Sequence, residues 1–273
     1  MKINRYIFMI CSTIFFLSTQ QNLYGETLRD PVEMRTVPAG EFLMGSKQEE
    51  GRVDERPQRK IYLDAYKIDS HEVSNKRYLK FIRDTDRKDP TNPYSEKQLS
   101  KQNEVINLPV VQVTWYDAVD YCRWAGKHLP TEAQWEKAAR GMKGNIFPWG
   151  SKEPSVKSVN FQKNWEGLKT LWPVSGKRDM SSPYGLKGMA GNVREWVQDW
   201  YSPEYFKNAP SSNPQGPRIG ILKVIKGGSW HSFKADIRSA SRGKGGFALK
   251  TDGIGFRCAK EIKEVKNKTR SKL

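Results

Sequence analysis

The sequence predicts an α+β domain with few helices, short strands and a large share of ordered loop. Two capped helices are indicated in the first half, starting after residues 114 and 131, and one alternating segment, 59–69, indicates a strand. From residue 142 onward Gly, Pro, Asn and Trp are frequent and regular periodicity is scarce. Loops on that scale within one domain need internal fastening, by buried tryptophans, a disulfide or metal ions.

The first elements follow from the spacing of apolar residues. Ile61, Leu63 and Ala65 alternate within 59–69 and are expected to point inward. Ser74 is a suitable N-cap for a helix that carries Tyr78 on its apolar face. Residues 84–107 are polar and contain prolines and many charges, which predicts an inserted loop.

Capping boxes mark the next two helices. Thr114 is followed three residues later by Asp117, and Thr131 by Gln134. A glycine ends each predicted helix. Tryptophan is used heavily, and its ordinary role is in the core. The tryptophans assigned to that role are Trp115, Trp124, Trp135, Trp149, Trp196 and Trp200.

The N-terminus has the pattern of an export signal. Lys2 and Arg5 precede a largely apolar run, 6–17, that is too short to span a bilayer comfortably, and a cleavage site falls before Glu26. Cys11 belongs to that run; an uncleaved anchor is the alternative. The sequence therefore predicts a signal peptide at 1–25, a domain at 26–260 and a protein that is periplasmic, on the outer surface or secreted.

The net charge of the chain limits the classes of partner that it is expected to bind. The formal net charge is +17, and much of the excess lies in a basic tail at 261–273. Nucleic acid is not expected, because the chain is exported and has no recognisable nucleic-acid-binding module. The tail is interpreted as a solvated segment, with contact to an anionic surface as the alternative.

Several longer motifs resemble those of the formylglycine-generating-enzyme, or sulfatase-modifying-factor, family. The resemblance covers about 34–260. Its fold is an elaborated variant of the C-type-lectin-like fold, which agrees with the pattern above. The motifs are VPAGEFLMG at 37–45, VTWYDA at 113–118, WAGKHLPTEAQWE at 124–136, FPWG at 147–150, GMAGNVREWVQDWY at 188–201, GGSW at 227–230 and GFRC at 255–258.

Two cysteines remain after the signal peptide, Cys122 and Cys258. An even pair in an oxidising compartment is a disulfide candidate, and the resemblance implies a structural bridge between the two. Buried free thiols are the alternative. In the family's oxidases two further cysteines follow the GGS motif and hold Cu(I), but residues 227–238 here contain none. A serine hydroxyl at Ser232 cannot replace a soft thiolate ligand. Copper is therefore not expected.

The GGS region nevertheless supplies the candidate site. Ser229, His231 and Ser232 are the catalytic candidates, and His231 alone among the three titrates near pH 7. His231 acts as a base, as one ligand of another metal, or only as a packing residue. The resemblance implies a substrate groove near Ser229, Trp230, Arg242 and Asp252, although Arg242 is alternatively a structural partner of Asp252.

Calcium is the cofactor that the resemblance implies. Its predicted ligands are Asn192 and Glu195 with the backbone oxygens of Gly188 and Ala190, although Gly188 replaces an Asn that is usual in the family. Asn192 is alternatively a turn residue that bonds to its own backbone. A second site would involve the segment 160–161, Asn160 and Phe161, whose acidic partner is not evident.

Two functions follow from these observations. The chain is predicted to be an exported binding or accessory protein that holds a peptide, protein or glycan ligand in the groove and performs no copper oxidation. The alternative is an enzyme, a formylglycine-generating or related oxidase that acts on a protein or peptide.

Overall fold

The computed structural model describes residues 29–87, 105–167, 169–176 and 180–262. The predicted signal peptide, most of the predicted insertion and nearly all of the basic tail lie outside these residues. Among the described helices none is long and apolar enough to cross a membrane.

Two small antiparallel sheets contain the first four strands, and one of them also contains the last strand. One has the order β1 (Met34–Val37), β4 (Tyr66–Asp69) and β9 (Ala259–Glu261). The other pairs β2 (Gly40–Met44) with β3 (Arg59–Leu63). The first sheet thus brings the end of the domain back to its beginning.

A third sheet of four strands carries the motifs of the second half. Its strands are β5 (Arg194–Trp200), β6 (Leu222–Lys226), β7 (Gly243–Gly246) and β8 (Ile254–Phe256). Their order is β7-β6-β5-β8, and β5 runs parallel to β8 and antiparallel to β6. The second half is therefore more regular than its sequence indicates.

The helices begin where the sequence predicts. They are α1 (Asn75–Thr85), α2 (Trp115–Trp124), α3 (Glu132–Arg140) and the single turn α4 (Tyr205–Asn208). The side chain of Ser74 accepts the backbone N–H of residue 77, and both predicted capping boxes are complete.

The predicted strand 59–69 is divided between two sheets. Ile61 and Leu63 are buried in β3 as expected. The strand ends there, and a new strand, β4, begins at Tyr66 in the other sheet. The backbone N–H of Asp64 donates to Asn213 Oδ1 at 2.9 Å, which satisfies a donor at the break.

The disulfide prediction is confirmed. Cys122 of α2 is bonded to Cys258, which follows β8, and both residues are fully buried. They pack with Trp196 in one core cluster, while Trp135 packs in another. The core role holds for Trp124, Trp135 and Trp196, whereas Trp115, Trp149 and Trp200 remain partly exposed. The α+β fold class that the sequence predicts is confirmed.

Candidate functional site

The GGSW loop leaves β6 and lies against the start of β5. Gly228 adopts a φ of +67°, and a Cβ there would lie 2.6 Å from Ile237 Cγ2. A glycine is therefore required for the turn. The backbone N–H of Trp230 donates to the carbonyl of Asn192 at 2.9 Å, which fixes the loop beside β5.

The three catalytic candidates form one hydrogen-bonded group. Ser229 Oγ lies 3.1 Å from His231 Nδ1 and 3.3 Å from Ser232 Oγ. Ser232 Oγ also accepts the backbone N–H of Ser229 at 2.9 Å and Nη2 of Arg194 at 3.1 Å. Since those N–H groups can only donate, the Ser232 hydroxyl hydrogen is free for Ser229, and the Ser229 hydrogen for His231. The hydrogen bonds therefore run in one direction, from Ser232 to Ser229 and from Ser229 to His231.

His231 is suited to accept a proton. Partial burial, and after it the positive charge of Arg194, lower the pKa of His231 below its usual 6.5, although Asp252 and Asp236 act in the opposite direction. The imidazole is therefore neutral at pH 7, and in the tautomer protonated on Nε2 its Nδ1 accepts the Ser229 hydroxyl. It can take a proton from Ser229 or from a bound ligand.

Aromatic rings and one backbone segment surround this group. The Trp230 ring meets the His231 ring edge-on at 4.7 Å and lies 5.3 Å from the partly exposed ring of Trp165. Trp230 Nε1 donates to the backbone carbonyl of Asp252 at 3.2 Å. A Cβ at Gly253 would lie 2.9 Å from His231 Cε1, so its backbone closes one side of the group.

Arg242 is part of a different group. Its guanidinium binds both carboxylate oxygens of Glu132, at 2.8 and 3.0 Å, and it also donates to the carbonyl of Asp54 at 2.8 Å. Arg242 is buried. Its ion-pair partner is Glu132 rather than the Asp252 that the sequence suggested, and the structural interpretation of Arg242 fits this geometry.

The side-chain oxygens of the first predicted calcium set are already engaged. Arg257 forms two 2.7 Å bonds to the carboxylate of Glu195, which also accepts Trp135 Nε1 at 2.7 Å. Asn192 Oδ1 accepts the backbone N–H of Trp172 at 2.9 Å. As arranged, this set does not fit Ca²⁺, because the cation would compete with a buried guanidinium. Calcium binding stays a prediction for titration.

The two backbone members of that set, Gly188 and Ala190, are buried beside it. A Cβ at Gly188 would overlap the carboxylate of Glu72, which occupies the space that the family's Asn would need. Asn192 Nδ2 donates to that carboxylate at 2.9 Å. Glycine at position 188, where the family usually has Asn, thus leaves room for the side chain of Glu72.

The second predicted set offers one open oxygen. Asn160 Nδ2 donates to the carbonyl of Thr170 at 2.7 Å and to Asn192 Oδ1 at 3.1 Å. Asn160 Oδ1 is buried and has no hydrogen-bond partner among the described residues. Phe161 is buried next to it. The described residues contain no cluster of three His, Cys, Asp or Glu side chains suited to a metal.

Copper does not fit the described residues. Both of their cysteine sulfurs are in the Cys122–Cys258 bond, so neither is a thiolate. The hydroxyl of Ser232 and the imidazole of His231 are the polar groups next to the GGS turn. These are hard or borderline ligands, whereas Cu(I) prefers soft sulfur.

One important side chain of the site was missed from the sequence. Arg194 occupies the variable position of the GNVxEW motif, next to the predicted ligand Glu195. Alternate residues of a strand point to opposite faces, so Arg194 lies with Ser232 while Glu195 lies with Arg257. Predicting a strand at 194–200 would have placed Arg194 and Glu195 on opposite faces.

Comparison with known proteins agrees with this geometry. The profile of the sulfatase-modifying factor enzyme 1-like domain matches residues 20–262. The formylglycine-generating enzyme of Mus musculus is 32% identical over 283 residues, which cover 83% of this chain and 74% of the mouse protein. The structure of PvdO from Pseudomonas aeruginosa superposes with a TM-score of 0.71 at 26% identity, covering 85% of this chain and 95% of that one.

A further relative is longer. Serine/threonine-protein kinase pkn1 of Chlamydia caviae is 35% identical over 255 residues, which cover 85% of this chain. The chain spans 38% of the length of that relative. The fold and its motif loops define a sulfatase-modifying-factor-type domain. The chain belongs to the family of sulfatase-modifying factor enzyme 1-like proteins, as the resemblance implied.

Proposed function

We propose that this protein is an exported, non-oxidase member of its family that binds a peptide or protein segment at the surface around Ser229. The observation that carries the proposal is the absence of any free thiol among the described residues, in the loop where the family's oxidases hold copper. Without two soft ligands Cu(I) has no site there.

The remaining geometry favours ligand binding. Ser229, Ser232, His231 and Arg194 place hydrogen-bonding groups together at the start of β5. Ser229 and Ser232 are buried, Arg194 is half-buried, and His231 is the most exposed of the four although part of its ring is covered. A pre-formed polar group beside aromatic rings is typical of a binding site. A protein segment is favoured over a glycan because the family's enzymes act on a protein cysteine.

Export is supported by the disulfide. Cys122 and Cys258 are bonded, and structural disulfides persist in oxidising compartments. Together with the signal-like N-terminus, this supports a periplasmic, surface or secreted location. The basic tail would add attraction to an anionic surface. Calcium remains a prediction for the loops around Asn192 and Asn160.

The discriminating experiment tests for the oxidase alternative. Purified mature protein is incubated with a sulfatase-type cysteine peptide, oxygen and added Cu(I), and the peptide is analysed by mass spectrometry. We expect no formylglycine and no oxygen uptake above a boiled control. A formylglycine-generating enzyme of the family serves as the positive control. Sustained turnover would show that ligands other than cysteine support the oxidation and would overturn the proposal.

A further inference from the structure

We infer that Arg194 is a specificity-determining residue that selects a ligand segment carrying a carboxylate. The inference rests on the proposed peptide-binding function of the Ser229 surface. The bond that it predicts would form between the Arg194 guanidinium and an Asp or Glu side chain, or a C-terminal carboxylate, of the bound peptide.

The first support is the contrast between Arg194 and four arginines that are more deeply buried. Arg77, Arg140, Arg242 and Arg257 each pair with at least one carboxylate at 3.0 Å or less. Arg194 donates one hydrogen bond, to the neutral hydroxyl of Ser232, and forms no ion pair with a described residue. Arg194 is half-buried, and half-buried Arg56 and Arg59 also lack a carboxylate but donate to backbone carbonyls. The poorly satisfied guanidinium of Arg194 is therefore what needs an explanation.

The second support is the state of the guanidinium itself. Arg194 Nε is buried and has no hydrogen-bond partner among the described residues. Arg194 lacks the compensating anion that the four more deeply buried arginines have.

The carboxylate of Asp236 does not supply that anion. Asp236 is bound to Arg52, whose Nη1 lies 3.1 Å from Asp236 Oδ1. Arg194 Nη1 instead lies against the backbone of β7, where a Cβ at Gly243 would be 2.9 Å from it. The lack of a side chain at Gly243 therefore makes room for the guanidinium itself.

A carboxylate suits this position better than a phosphate. A carboxylate carries one charge and matches the planar guanidinium. A phosphate carries nearly two and would need a second free cation, but the neighbouring Arg52 is occupied by Asp236. His231 is neutral at pH 7 and contributes hydrogen bonding rather than charge. The expected ligand feature is therefore a single carboxylate near the Ser229 group.

The experiment is affinity selection of peptide mixtures on the mature protein. Acetylated, amidated hexapeptides are randomised except at one position, which holds Glu or Gln in equal amounts. A second arm compares free with amidated C-termini and so separates a side-chain from a terminal carboxylate. Bound peptides are quantified by mass spectrometry. We expect the carboxylate form to be enriched at least about tenfold in one arm, as a charge-assisted hydrogen bond implies.

Two variants test which residue causes the enrichment. Arg194→Met keeps an apolar stem but removes the guanidinium, and the enrichment should fall to about one. Lys234→Met is the matched control, because it removes one positive charge from an exposed side chain that pairs with Glu153. It should keep the enrichment. Circular dichroism melting of both variants shows that they fold.

The outcomes separate the inference from the proposed function. Enrichment of peptides without any carboxylate preference, or a preference that Arg194→Met leaves unchanged, would overturn the role of Arg194 while leaving the peptide-binding function in place. No enrichment of any peptide in either arm would instead contradict the peptide-binding function itself, and the inference with it. Loss of preference in Lys234→Met as well would show a general charge effect and would also overturn the inference.

Discussion

The two faces of strand β5 at its first residues differ in how their charges are compensated. Glu195 points to the buried face, where Arg257 and Trp135 donate three hydrogen bonds to its carboxylate. Arg194 points to the opposite face, where its single hydrogen bond goes to Ser232. Adjacent residues of one strand thus belong to a satisfied interior network and to an unsatisfied group near the surface.

The difference separates stability from binding. A buried carboxylate with a two-point arginine partner holds segments that are distant in sequence, because Arg257 also donates to the carbonyls of Asp69 and Lys187. The Arg194 side chain, in contrast, is linked to one other segment, through Ser232, and its Nε donor has no partner among the described residues. Groups that cost folding energy without a partner are common at functional sites. We therefore expect substitutions on the two faces to have opposite profiles.

The largest effect is expected for Arg257→Met. The substitution leaves the Glu195 carboxylate buried without its cation, and breaking a buried pair in this way costs about 3–5 kcal/mol. Denaturant unfolding of the disulfide-intact protein measures the change. Arg257→Lys is the control and should recover part of the loss, since it restores charge but not the two-point geometry. A change below about 1 kcal/mol for Arg257→Met would contradict the structural role of this network.

The next effect concerns Asn192 on the same side. Its side chain bonds Glu72, Asn160 and the backbone of Trp172, and its φ of +65° suits Asn better than Ala. We expect Asn192→Ala to lower the free energy of unfolding by about 1–3 kcal/mol, from unsatisfied buried groups.

The same variant decides the calcium prediction. Thermal midpoints are compared with EDTA, Ca²⁺ and Mg²⁺ for both proteins. The present geometry predicts a lower midpoint for Asn192→Ala under all three conditions. If the parent midpoint rises with Ca²⁺ and the rise disappears in Asn192→Ala while the EDTA midpoint is unchanged, then the loop rearranges to bind the ion. Stabilisation of about 2.7 kcal/mol is expected in that case at a hundredfold excess over Kd.

A much smaller effect on stability is expected for Arg194→Met. The guanidinium contributes one hydrogen bond and carries an uncompensated desolvation cost, while the Met side chain preserves most of the stem contact. We expect the free energy of unfolding to change by less than about 1 kcal/mol. A loss as large as that of Arg257→Met would mean that both faces serve folding, and the comparison would fail.

The sequence predicted the helices, the disulfide and the family well because each has a local signal. Capping boxes at Thr114 and Thr131 depend on residues three positions apart, and the motifs around Cys122 and Cys258 are short. Strand β5 was not predicted, because Glu195 is charged yet buried, which disguises the apolar pattern of the strand. Burial of a charged residue depends on a distant partner, which no local pattern contains.

The candidate site was predicted only in part for the same reason. Ser229, His231 and Ser232 are close in sequence, so their grouping followed from the motif. Arg194 comes from another strand, and Arg242 is drawn away by Glu132, 110 residues distant in the chain. At the site, the sequence left the long-range pairing of charged groups undetermined.

The smallest expected effect is a shift in the pKa of His231, and it tests whether the Arg194 charge is uncompensated. Burial is the main cause of the lowered pKa of His231 and Arg194 is the second. Arg194→Met should therefore raise that pKa toward 6.5 without reaching it, whereas Lys234→Met should leave it unchanged. The chain has three histidines, so NMR titration of the imidazole Cε1 protons can follow each one, with His231→Gln providing the assignment.

Because the folded-state pKa of His231 is depressed, the unfolded state binds a proton first as the pH falls below about 6.5, and folding stability decreases there. That decrease should be shallower in Arg194→Met than in the parent. An unchanged His231 pKa in Arg194→Met would show that the guanidinium charge is neutralised by another group, and the contrast between the two faces of β5 would then be lost.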